Sequence, residues 1–128
     1  MSDPDFPAEL RSFIRDNIPD IDAAELLLLL ARNPHGRYDI ATMLKEVRPT
    51  IIGEPAARRH IAYFRERGLL SEIDGTYQYG PASPELEQMV RALTKVYNER
   101  PVTLIRVIYA LKDEKIRSFA DAFRLSRK

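Results

Sequence analysis

Residues 53–81 read GEPAARRHIAYFRERGLLSEIDGTYQYGP, and they leave the chain few options. Pro55 suits the first turn of a helix, where its missing N–H would have no partner, and Gly68 suits the left-handed residue that stops one. Between them Ala57, Ile61 and Phe64 fall on one stripe at helical spacing, so that face is expected to pack on a core. Leu69, Leu70 and Ile73 then run into Asp74-Gly75, a two-residue hairpin signal, and Thr76, Tyr77 and Tyr79 return with strand-forming side chains. The expectation is a helix of about three turns over Pro55–Arg67, a glycine stop, and a short hairpin over Leu70–Tyr79.

The elements before this stretch follow from caps and breakers. Pro7 to Asn17 reads as a short helix with Leu10, Phe13 and Ile14 on one face, extended by Phe6. A second helix is expected to start at Asp22, with Glu25 in the capping-box place and Ile21 and Leu26 as a hydrophobic staple. Leu26 to Leu30 wraps more than one face, which marks this helix as the central one, and Asn33-Pro34-His35-Gly36 ends it. Asp39 caps a third helix, with Tyr38 stapled onto Met43 and with Ile40, Met43, Leu44 and Val47 packed inward. Arg48-Pro49 ends it.

Central helix, short helix, turn, basic helix and hairpin follow one another in the order of a winged helix-turn-helix, which docks its second helix in the DNA major groove. Residues 21–79, and above all HIAYFRERGLLSEIDGTYQY with Ile61, Phe64 and Gly68-Leu69-Leu70, resemble the winged domains of small bacterial transcription regulators of the MarR-like group. The resemblance covers about half the chain. It implies a cytoplasmic, double-stranded-DNA-binding regulator that acts as a homodimer. MarR-type chains are usually longer, with helices at both ends building the dimer, and the segment after Tyr79 is shorter here.

That segment carries two or three further helices. Ser83 caps one and Pro84 takes its first position, with Leu86, Met89, Val90, Leu93 and Val96 or Tyr97 on one face. Pro101 restarts the chain, and Val102–Leu111 is apolar on nearly every side, compatible with helix or strand; its place between two helices favours helix. Asp113 is expected to cap a last helix carrying Ile116, Phe119, Ala120 and Phe123. The fold class is therefore mainly α with a small β-hairpin wing, divided into an N-terminal helical segment (1–20), a winged domain (21–81) and a helical extension (82–128) that could form a dimer interface.

Composition narrows the function classes. With no cysteine in 128 residues, disulfides, thiolate metal sites and cysteine nucleophiles are all excluded. Glycine phosphate loops, HExxH and GxSxG are missing too, so no enzyme, cofactor or metal site is expected. MSDPDFPAEL lacks the pattern of a secretory signal, and Leu26 to Leu30 is too short to span a bilayer, so a membrane partner is not expected either. The formal net charge of +1 hides an uneven distribution. Residues 1–30 hold two basic against seven acidic side chains, whereas residues 31–70 hold eight against four. Positive charge is thus concentrated on the helix-turn-helix.

If the Pro55–Arg67 helix enters the major groove, the face opposite its core stripe holds Ala56, Arg59, Ala62, Tyr63 and Glu66. Arg59 is the first candidate, because a guanidinium can bond two acceptors on a guanine edge. Tyr63 can meet a base or a phosphate. Arg58, Lys45, Arg48 and Thr50 suit phosphates, and Thr76 or Tyr77 on the wing can reach the neighbouring groove. Against this stands a protein-binding adaptor without specific DNA affinity, since winged domains serve both uses. An effector, if there is one, is not identified by the sequence.

Overall fold

The computed structural model describes residues 6–47 and 52–126, with side chains as far as Arg117. Six helices and one hairpin follow in order: α1 (Ala8–Asn17), α2 (Ile21–Arg32), α3 (Ile40–Glu46), α4 (Glu54–Glu66), β1 (Leu70–Ile73), β2 (Thr76–Tyr79), α5 (Pro84–Glu99) and α6 (Pro101–Ser126). The fold is mainly α with a small antiparallel wing, a winged helix-turn-helix followed by a helical extension. α2 is its centre: every residue from Ala23 to Leu30 is buried, and α3, α4, α5 and β2 all pack against it.

The turn chemistry around α4 is as its sequence predicts. Gly68 has φ +78°, the Leu69 N–H bonds the Phe64 carbonyl at 2.9 Å, and the Gly68 N–H bonds that of Arg65 at 3.1 Å. This double closure is a Schellman motif, with the fully buried Phe64 and Leu69 as its apolar pair. Asp74 and Gly75 both have positive φ, 51° and 77°, as a type I′ hairpin requires, and they set the pairing of Ile73 with Thr76 and Leu70 with Tyr79. A third strand position is added by Tyr38, which exchanges both backbone hydrogen bonds with Tyr77 at 2.8 and 2.9 Å. Tyr38 thus anchors the wing to the start of α3, a role its sequence context as a staple residue does not announce.

Two boundaries differ from expectation. The cap of α2 is Asp20, not Asp22: its Oδ1 accepts the Ala23 N–H at 3.0 Å, and the helix begins two residues earlier. Asp22 lies in the first turn, where its charge still favours the helix dipole. In the extension, Val102–Leu111 is helical, but Asp113 caps nothing. α6 runs unbroken for 26 residues from Pro101, because an exposed acidic pair inside a helix costs only a few tenths of a kcal/mol and nothing else interrupts the ladder. α5 follows its sequence reading, with the Ser83 Oγ accepting the Leu86 N–H at 3.2 Å. α1 and α5 both pack against α6, through its buried Leu104, Ile108 and Leu111.

Candidate nucleic-acid interface

α4 packs on α2, α3 and β1 through Ala57, His60, Ile61 and Phe64. At 100° per residue that buried face turns Pro55, Arg59, Ala62 and Glu66 outward, with Arg58 and Arg65 on one flank and Tyr63 and Arg67 on the other. The four arginines of this helix and its cap differ in what holds them. Arg58 Nε donates to the Glu54 carboxylate at 2.9 Å, one turn away. Arg65 is ion-paired with Glu72 of the wing, and Arg67 lies 5.0 Å from the Tyr63 ring centroid while donating to its hydroxyl at 2.7 Å. Arg59, also exposed, has no ion-pair or hydrogen-bond partner among the described residues.

Tyr63 turns toward the N-terminal segment. Its hydroxyl donates to the Asp16 carbonyl at 2.5 Å, tying the middle of α4 to the end of α1. Thr76 Oγ1 donates to the Ile73 carbonyl at 2.6 Å across the hairpin turn, and the half-buried Tyr77 packs its ring on the core. Lys45 is exposed in the last turn of α3. Arg48 and Thr50 lie outside the described residues. The structure therefore gathers Arg58, Arg59 and Tyr63 on one helix with Lys45 on its neighbour, while Thr76 and Tyr77 sit on the wing. Arg65 and Arg67 are not among the residues the sequence singles out; both follow Tyr63 within about one turn, and the second cluster of basic residues at the end of the helix is the only signal the sequence holds for them.

A groove of about 440 Å³ borders this helix, formed by Arg59, His60 and Tyr63 with residues 15–20 and Lys115. His60 is buried at its floor, its Nε2 3.5 Å from Asp20 Oδ1. Burial pushes the imidazole below its ordinary value, outweighing the opposite pull of Asp20 and Asp22, and Arg59 adds to the depression. His60 is a core residue beside the α2 cap. On the far side of α2, Tyr79 donates to Glu87 at 2.8 Å and Arg91 donates to the same carboxylate at 2.9 Å, which holds Glu87 below its usual range.

Among the described residues no three His, Asp or Glu side chains converge as metal ligands, and no helix is long and apolar enough to cross a membrane. Comparison with protein-family models, curated proteins and solved structures gives no match.

Proposed function

We propose that this chain is a sequence-specific, cytoplasmic DNA-binding transcription regulator of the MarR-like kind, acting as a dimer with α4 in the major groove and the wing along the backbone. The observation that carries the reading is Arg59. It projects from the exposed face of the second helix of a helix-turn-helix, and no described acidic group neutralises it. Arg58, its neighbour in α4, and Lys45 in the last turn of α3 are the proposed phosphate contacts. The mechanism is steric: an occupied operator changes the access of polymerase.

The test is selection of sheared bacterial genomic DNA at about 150 mM salt, where weak backbone-only binding is suppressed, beside an Arg59→Ala variant. Enrichment of discrete fragments sharing a two-fold motif, lost in the variant, is the expected result. No enrichment by either protein overturns the reading. The second reading is a protein-binding adaptor. It is favoured by the engagement of Arg58, Arg65 and Arg67 with groups of this same chain, and by Glu66 on the outward face.

A further inference from the structure

Five large apolar side chains are exposed among the described residues, and four of them lie on α6: Val102, Ile105, Tyr109 and Ile116, between 37% and 61% exposed. Their spacing is not random. Val102, Tyr109 and Ile116 repeat every seven residues, and Ile105 and Lys112 fall three residues after the first two. These are the a and d places of a heptad, and in the sequence the pattern continues through Phe119 and Phe123. The stripe runs beside the inner face, where Leu104, Ile108 and Leu111 are already covered by this chain, and its Lys112 and Ile116 also border a groove of about 330 Å³ shared with Arg15, Ile18 and Pro19. A seven-residue repeat drifts about 20° per heptad on a straight helix, so it suits a second helix wound along it rather than a flat surface.

We infer that α6 is the pairing surface of the dimer, and that its occupant is α6 of a second copy in antiparallel orientation. Charge decides the orientation. In a parallel pair the same residues meet, which sets Lys112 against the other Lys112 within the seam. In an antiparallel pair a places meet d places: Ile105 packs on the partner's Ile116, and Tyr109 on the partner's Lys112. The ammonium then lies over an aromatic ring instead of a like charge. The flanking e places bring Arg106 beside the partner's Asp113, and the two-fold axis repeats that pair. Every contact in this register is reciprocal, as a closed two-fold interface requires.

The proposal concerns the dimer of the reading above, and its test reads pairing without DNA, so either can fail alone. Light scattering of the full chain is expected to give twice the 14.7 kDa chain mass. A single-chain mass overturns the proposal. Because the chain has no cysteine, Ile105→Cys and Ile116→Cys variants report orientation directly. Oxidation of the two mixed together is expected to give a covalent dimer of one of each, and neither alone is expected to cross-link. Cross-linking of Ile105→Cys with itself, or of no combination, overturns the antiparallel seam. Arg106→Glu is expected to weaken pairing at least several-fold and Arg106→Glu with Asp113→Arg to restore it, at exposed positions whose change leaves the helix intact. Pairing indifferent to both changes also overturns it.

Discussion

At the scale of single residues, the difference between Arg58 and Arg59 is what they already hold. Arg58 is engaged by Glu54 in an exposed pair of the kind worth about 0.3–0.5 kcal/mol, so DNA would have to share it. Arg59→Ala is expected to cost about 1–3 kcal/mol at the preferred sequence and to relax discrimination at one base pair. Arg58→Ala is expected to weaken all sequences alike and by less; titration of labelled duplexes bearing single substitutions separates the two. His60 gives a stability prediction. Its folded-state pKa lies below the unfolded 6.5, so below about pH 6.5 the unfolded chain binds the extra proton. Stability attributable to this group is complete above that pH and is lost as pH falls toward the folded value. Thermal midpoints measured from pH 7.5 to 5.5 are expected to decline in the parent and to decline less in His60→Gln. The residue-scale features legible in the sequence, Arg59 and Gly68 among them, depend on helix phase and local backbone. The tie made by Tyr63 is not legible in the same way, because the carbonyl that accepts its hydrogen bond lies 47 residues upstream.

At the scale of elements, caps and stops carry the prediction, because two acids compete for the start of α2. Asp20 and Asp22 both precede an apolar run, and Glu25 stands at the capping-box distance from Asp22. What decides is three-dimensional: Asp20 Oδ1 reaches the Ala23 N–H, which lets Ile21 enter the helix, and it also faces His60 of α4. Asp20→Ala is therefore expected to cost about 1 kcal/mol of unfolding free energy, and Asp22→Ala markedly less, by urea denaturation. Gly68→Ala is expected to cost more than Gly75→Ala. Both residues need positive φ, but a Cβ at Gly68 would also lie 3.1 Å from that of Ala82, whereas Gly75 has open space. Helices and the hairpin were readable here because proline, glycine and capping residues act locally. The unbroken α6 was not, since Asp113-Glu114 has the chemistry of a start signal and only the continuing backbone ladder overrides it.

At the scale of the molecule, the winged frame, an Arg59 that pairs with none of the described residues and the apolar stripe of α6 converge on one demand. A chain with net charge +1 neutralises few phosphates by itself, and affinity for DNA grows with the number neutralised. Pairing two chains doubles the basic helices without changing either, and a two-fold dimer reads half-sites about 34–36 Å apart or a multiple of it. If α6 supplies that pairing, then Ile116→Glu, on a residue 58% exposed in the single chain, acts on DNA binding from outside the proposed reading face of α4. It is expected to leave affinity for an isolated half-site unchanged and to reduce affinity for the full two-fold site at least tenfold, because the second contact ceases to be intramolecular. Arg59→Ala is expected to do the reverse at the level of mass, remaining a dimer while binding both half-site and full-site duplexes more weakly. Measuring the two variants on half-site and full-site duplexes, with mass determined in the same buffer, tests the proposed link between DNA reading by α4 and pairing by α6. Equal loss of half-site binding in Ile116→Glu would show that α6 supports the fold of α4 instead of joining two copies of it.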